Sequence, residues 1–391
     1  MISLISRIAR AGLLAAAAAL FVPYAYAFAG TGTPSPDSLV PPPPPLPAIE
    51  SYVLMDYDSG QVLAEKDDQA HAAPASLTKL MVAYLTYQAI QHHMLSINQV
   101  VPVSTTAWRT PGSRMFIQPG LAVNVDQLLH GLIIDSGNDA AVSLAQAVAG
   151  SRAAFVAMMN ETARRLGLND TRYVNVTGLP APDLYTSALD VARLSRALIE
   201  SYPQIINVSS EKYYRYNNIR QPTWNPVLFR DPTVDGLKTG LTDSSGYCID
   251  ATALRNGRRL IAVVMHGPSW KGSTSGVESL LDYGTRFFED RTLYSNNEPV
   301  VTLTQIDLNP LHLPAGAGRA VTVTVPRGSG LQVHWQVESG LQGAVRAGQV
   351  LGRLTFSASG QVLKSVPLVA LKPARRVGII GEWWNRLRLA V

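Results

Sequence analysis

A chain of 391 residues that is 47% apolar and 16% charged carries enough apolar side chain for two or three packed domains and is not globally disordered. Its single cysteine excludes an intramolecular disulfide framework and cysteine-rich zinc sites. It has neither a GxGxxG turn nor a GxxxxGK[ST] loop, which argues against a nucleotide enzyme. The net charge of +5 is uneven: residues 291–391 hold eleven basic and four acidic side chains. Such a tail suits nucleic acid or a membrane surface.

In chain order, residues 1–27 read as a secretory signal. Arg7 and Arg10 precede an apolar run from Ala11 to Val22, too short for a comfortable membrane span, and Ala25-Tyr26-Ala27 is a small-x-small cleavage site. Residues 28–47 are expected to be a proline-rich linker outside the fold, with Pro41 to Pro45 favouring an extended chain.

Residues 48–290 read as one domain. Tyr52–Tyr57 and Gln61–Ala64, around Asp58-Ser59-Gly60, predict a hairpin. Apolar spacing predicts helices over 76–92, 126–134, 137–149, 151–166 and 187–200. Gly246–Leu254 and Arg259–Met265, around Asn256-Gly257, predict two strands and a tight turn; 273–289 reads as a helix. Strands at both ends with helices between predict one sheet whose first and last strands are neighbours. Residues 291–375 alternate at period two and predict a small all-β domain. In 376–391, Val377, Ile380, Trp383, Trp384, Leu387 and Val391 share one stripe of a helix flanked by arginines, a pattern suited to an anionic lipid surface.

Three short motifs carry the chemistry. Ser76-Leu77-Thr78-Lys79 starts a predicted helix, so serine and lysine share a face one turn apart. A serine hydroxyl needs a base, and a lysine desolvated near other cations can be neutral enough to serve. A helix N-terminus also offers a backbone N–H where an oxyanion forms. Ser136-Gly137-Asn138, alone, reads as a capping turn. Lys238-Thr239-Gly240 precedes the last strands, and its glycine permits close approach of a substrate backbone. Each pattern is weak alone, since Ser209–Lys212 repeats the first and Ser295–Asn297 the second. Order separates them: Ser209 falls after the second motif and Ser295 after the third.

This ordered set, within Ala75–Met81, Ile134–Ala140 and Asp235–Thr242, and joined by Gly284–Glu289, resembles the low-molecular-mass penicillin-binding proteins. Those of the S11 type are serine D-alanyl-D-alanine carboxypeptidases. The resemblance spans about residues 50–290. It implies an α+β fold: a penicillin-binding/β-lactamase-like transpeptidase domain, with an antiparallel sheet flanked by helices, then a small all-β domain and a C-terminal amphipathic helix. It implies a periplasmic enzyme held peripherally on the outer face of the inner membrane. The partners implied are peptidoglycan stem peptides and inhibitory β-lactams, with no cofactor, no metal and no nucleic acid.

The resemblance also implies roles. Ser76 attacks the D-Ala–D-Ala carbonyl, Lys79 takes its proton and Ser136 relays protons toward the leaving amine. Asn138 binds the substrate amide and helps hold Lys79. Lys238 and Thr239 meet the terminal carboxylate beside Gly240, and the backbone N–H groups of Ser76 and Leu241 form the oxyanion hole. Two positions depart from the family pattern: Leu241 replaces a common histidine, and Ser273 replaces an arginine after Lys271-Gly272, with Lys271 or Arg114 as candidate substitutes. Gly112–Gly120 resembles the family's loop beside the site and is expected to gate access or shape deacylation. Cys248 is expected to be a small buried residue. Alternative readings are a DD-endopeptidase, a β-lactamase (though no Glu-x-x-Leu-Asn precedes the third motif) and a catalytically weak penicillin-binding scaffold whose working part is the β domain.

Overall fold

A computed structural model describes residues 40–338, 343–358 and 360–390; the signal sequence and the start of the linker lie outside the described residues. In chain order the body contains β1 (Ser51–Asp56), β2 (Val62–Lys66), α1 (Lys79–Gln91), α2 (Val125–Ile133), α3 (Asn138–Ala149), α4 (Arg152–Arg165) and α5 (Ala188–Ser201). There follow β3 (Tyr213–Tyr216), β4 (Ile219–Pro222), β5 (Val234–Thr242), β6 (Gly246–Arg255), β7 (Arg258–Gly267) and α6 (Trp270–Phe287).

Five of the strands form one antiparallel sheet in the order β2-β1-β7-β6-β5. First and last strands are neighbours in it, since β1 pairs with β7 along its whole length. Alternation sorts the sheet's two faces. Val53, Met55, Val263 and Met265 join a core with α1 and α5, while Leu54, Ala262 and Val264 join one with α6. Helix α1 is buried on nearly all sides, which makes it the pillar of the helical layer. Strand β5, which carries Lys238-Thr239-Gly240, is left at the sheet's edge.

Three expectations need correction. The helix expected over 273–289 begins at Trp270, where the Ser269 hydroxyl accepts from the Gly272 N–H at 3.0 Å, and ends at Phe287. The next strand, β8 (Phe288–Leu293), runs across the expected domain boundary and pairs with residues 321–326 of the second domain. The linker's last residues are not outside the fold: Val40 and Leu46 pack against the α6 side of the sheet, and the Tyr283 hydroxyl donates to the Pro41 carbonyl at 3.0 Å.

The C-terminal domain is all-β. After β9 (Val301–Thr304), β10 (His312–Gly316) and β11 (Val321–Pro326) come β12 (Leu331–Val337), β13 (Val350–Ala358) and β14 (Gln361–Ala370). Its main sheet runs β9-β10-β14-β13-β12 around Leu313, Leu354, Phe356 and Leu368. Helix α7 (Ile379–Ala390) ends the described chain. Its Asn385 amide donates to the carbonyls of Ile306 and Leu308, both at 2.9 Å. Ile379, Ile380, Trp383 and Trp384 are exposed. Among the described residues no single helix is long and apolar enough to cross a membrane.

Candidate active site

Ser76 sits in a short 3-10 turn, Ala75–Thr78, that leads directly into α1. Ala75 carries a left-handed φ of 45°. A close approach enforces the turn: a Cβ on Gly178 would lie 1.7 Å from the Ala75 carbonyl oxygen, so only glycine fits there. One turn on, the Lys79 ammonium is wholly buried, 2.7 Å from Ser76 Oγ and 3.0 Å from the Thr177 carbonyl. Burial, and then the charge of Lys238, push Lys79 well below the usual lysine range, against a raising effect from Asp139. A lysine whose charge is disfavoured in this way, aimed at a serine hydroxyl, is placed to act as its general base.

Strand β5 passes the start of this turn at contact distance. A Cβ on Gly240 would be 3.0 Å from Ala75 Cβ and 3.2 Å from Ser76 N. Lys238 is buried too, donating to the Thr239 carbonyl at 3.0 Å, and burial pushes it down to about 7. Asp235, earlier on the strand, is clamped by a bidentate Arg259 at 2.7 and 2.8 Å.

The third wall is the turn between α2 and α3. Ser136 has φ 56°, and its carbonyl accepts from the Ser113 hydroxyl at 2.6 Å. Asn138 donates through Nδ2 to the Pro111 carbonyl at 2.6 Å, while its Oδ1 has no hydrogen-bond partner. The expected support of Lys79 by Asn138 is therefore not what is observed: Thr177 fills that place.

Ser76, Ser136, Thr239, Gly240 and Leu241 line one cleft of about 250 Å³, with Ser113, Trp224 and Trp270. The structure thus gathers the expected residues, with Lys79, Asn138 and Lys238 buried around them. Lys271 and Arg114 do not line the cleft. Ser273 is buried and donates to the Tyr247 carbonyl at 2.8 Å. The decoys have structural duties: Ser209 donates to the Asp235 carbonyl at 2.7 Å, and Ser295 binds Glu298 in a turn. Cys248 is buried. Among the described residues no three His, Cys, Asp or Glu side chains group as metal ligands.

Besides Thr177, sequence reasoning missed three residues. Trp224 and Trp270 are walls whose place depends on the folded chain. Asp139, wholly buried, accepts from the N–H groups of Met115, Phe116 and Ile117 at 3.1, 3.0 and 3.3 Å. It fastens the 112–120 loop, expected to be a gate, onto the site. An aspartate in the first turn of α3, directly after Asn138, was the available signal.

A serine hydroxyl bonded to a buried lysine beside an open sheet edge defines a serine acyl hydrolase. Residues 41–269 match the D-alanyl-D-alanine carboxypeptidase family, peptidase S11, and residues 288–374 match the C-terminal domain of penicillin-binding protein 5. D-alanyl-D-alanine carboxypeptidase DacC of Escherichia coli strain K12 is 37% identical over 351 residues, covering 87% of this chain and 88% of the relative. The crystal structure of penicillin-binding protein 5 from Haemophilus influenzae superposes with a TM-score of 0.81 at 31% identity, covering 85% of this chain and 99% of that one. Penicillin-binding protein 6B from Escherichia coli gives 0.70 at 34% identity, over 85% and 98%. The chain belongs to the D-alanyl-D-alanine carboxypeptidase family, and it is a serine carboxypeptidase. The match favours this reading over the endopeptidase and β-lactamase alternatives.

Proposed function

We propose that the chain removes the terminal D-Ala from peptidoglycan stem pentapeptides through an ester on Ser76. Ser76 Oγ attacks the carbonyl of the D-Ala–D-Ala bond as its proton passes to Lys79. The backbone N–H groups of Ser76 and Leu241 hold the oxyanion. The C–N bond then breaks, and the departing amine takes the proton back from Lys79 by way of Ser136. Water, deprotonated by Lys79, hydrolyses the ester. Lys238 and Thr239 meet the terminal carboxylate, Gly240 admits the substrate backbone, and the unpartnered Oδ1 of Asn138 accepts a substrate amide N–H. In a β-lactam the leaving nitrogen stays tethered to the acyl group, so the ester is long-lived and the enzyme is inhibited.

The observation that carries this reading is the 2.7 Å hydrogen bond from a fully buried Lys79 to Ser76. The decisive test is D-Ala release from a stem pentapeptide by residues 28–391, beside Ser76→Ala. Release that vanishes in the variant supports reaction and nucleophile together. No release by the parent, but stable labelling of Ser76 by penicillin, would reassign the substrate and point to Leu241 and Ser273.

The signal sequence and α7 support an exported enzyme attached peripherally to the outer face of the inner membrane. Asn385 joins α7 to the β domain by its polar side, so the tryptophans face outward, as an interfacial helix requires. The proposed boundaries are 1–27, 28–47, 48–290, 291–375 and 376–391, with the exchange of β8 noted above. Deleting 377–391 should move the protein to the soluble fraction; unchanged membrane association would refute the anchor.

A further inference from the structure

A stem pentapeptide is too long for a cleft of about 250 Å³ to enclose, so its earlier residues must lie on surface beyond it. The N–H on the acyl side of the scissile bond belongs to the amide that joins the penultimate D-Ala to those residues. With that N–H on Asn138 Oδ1, as proposed above, the peptide leaves the cleft past Asn138.

A larger groove, of about 1090 Å³, adjoins the cleft there. Pro111, whose carbonyl accepts from Asn138 at 2.6 Å, lines the groove, and Ser113, two residues on, lines the cleft. Gly112 joins them in close contact with Asn138: a Cβ on it would lie 2.5 Å from Asn138 Nδ2 and 3.8 Å from Leu179 Cδ2. Leu179 and Thr177 line the groove too, and the Thr177 carbonyl accepts from Lys79 at 3.0 Å. The groove is thus built from the two residues whose carbonyls hold Asn138 and Lys79.

Its walls are fixed from within. Asn175 Oδ1 accepts from the N–H groups of Thr177 and Gly178 at 3.1 and 2.8 Å, and its Nδ2 donates to the Leu179 carbonyl at 2.9 Å. Across the groove Ser104 caps the short helix Thr105–Trp108, accepting from the Ala107 N–H at 3.0 Å, and donates to Gln146 at 2.8 Å.

Val142, Val156 and Val176 give the groove an apolar lining, and the only charged side chains among its described residues are Arg109 and Arg152. Both are exposed. Arg109 lies over the Trp108 ring at 5.7 Å, and Arg152 opens α4 behind the Ser151 cap. Among the described residues neither pairs with a carboxylate. Two like charges on one groove with no counter-charge raise its potential and draw in an anion. A guanidinium suits a carboxylate, which it can bind through two parallel N–H groups.

We propose that this groove is a subsite for the stem peptide: Arg109 and Arg152 bind a carboxylate that the peptide carries ahead of its D-Ala–D-Ala end, and so select acidic over neutral stem peptides. The inference rests on the substrate and the Asn138 contact given under Proposed function.

The test is D-Ala release by the full chain from two pentapeptides, one with free carboxylates ahead of the D-Ala–D-Ala end and one with those groups amidated. Each exposed pair contributes modestly, so kcat/KM should favour the acidic peptide about fivefold, mainly through KM. In Arg109→Ala/Arg152→Ala the ratio should fall to about one, and Arg152→Glu should carry it toward the amidated peptide. Added salt should narrow the parent's preference. Labelling of Ser76 by penicillin reports that each variant is folded. A parent without preference, or a ratio that the variants leave unmoved, overturns the subsite while D-Ala release keeps the proposed function standing. Release from neither peptide overturns both.

Discussion

Ser76 and Lys79 were legible because helical spacing alone puts them on one face, and the order of the three motifs separated them from their decoys. Thr177, Asp139 and Trp224 were not, because each acts across a loop whose path depends on the whole fold. Asp139→Asn should unpair at least one of the four backbone N–H groups that its oxygens accept from, at about 1–3 kcal/mol for each group left buried and unsatisfied. A lowered melting temperature together with an acylation rate reduced about tenfold is the expected result; an unchanged rate would show that the loop does not shape the site. Asp250 supplies a second prediction. Burial pushes its carboxyl up to about 7 from 3.8. The folded protein therefore keeps a proton that the unfolded chain has lost, and stability that is complete below about pH 4 falls as pH rises toward neutrality. Asp250→Asn should melt a few degrees above the parent at pH 7 and show no such gain at pH 4. An equal difference at both values would count against burial of the charge as the cause.

Local periodicity placed the helices of the body to within a few residues, and alternation placed the hairpin and the last two strands of the sheet. It failed at α6 and β8. Phe288 leaves the helix to pair with Pro326, a partner distant in sequence that no local pattern announces. The 3-10 geometry around Ser76 was equally hidden, since Gly178 and Gly240 dictate it from other segments. Gly240→Ala tests that packing. A methyl 3.0 Å from Ala75 Cβ and 3.1 Å from the Pro74 carbonyl should force β5 away from Ser76. Penicillin labelling should slow at least tenfold with little loss of helicity by circular dichroism; unaltered labelling would mean that the strand yields freely. For α7, replacing Trp383 and Trp384 by serine should weaken sedimentation with anionic lipid vesicles at least tenfold, and binding equal to the parent's would remove the tryptophans from the contact.

The body and the β domain meet through buried polar groups rather than a continuous apolar core. Arg258 Nε lies 2.8 Å from Asp56 and 2.9 Å from Asp290, and its Nη1 donates to the carbonyls of Gly284 and Phe288. Around it, Ser59 and Gln61 of the first hairpin bond Thr324, and Lys364 donates to the Ser59 and Thr322 carbonyls. Length and composition suggested two or three domains, but this junction could not be read from them, because its members are scattered from residue 56 to residue 364. Arg258→Ala leaves two carboxylates without their shared cation, at about 3–5 kcal/mol. Calorimetry should then show a lowered or split unfolding transition, whereas an unshifted single transition would mean that the joint is redundant.

The open margin of the sheet has a further consequence. A reaction that reads its substrate along β5 requires that strand to stay uncovered, with Leu241 and Trp224 exposed nearby, and unpaired strand margins are templates for other chains. The enzyme's colloidal weakness therefore lies where its selectivity lies. An occupant that fills the margin should act as a solubiliser: on gentle heating the penicillin-bound form should scatter less light than the free form, by more than its gain in melting temperature alone explains.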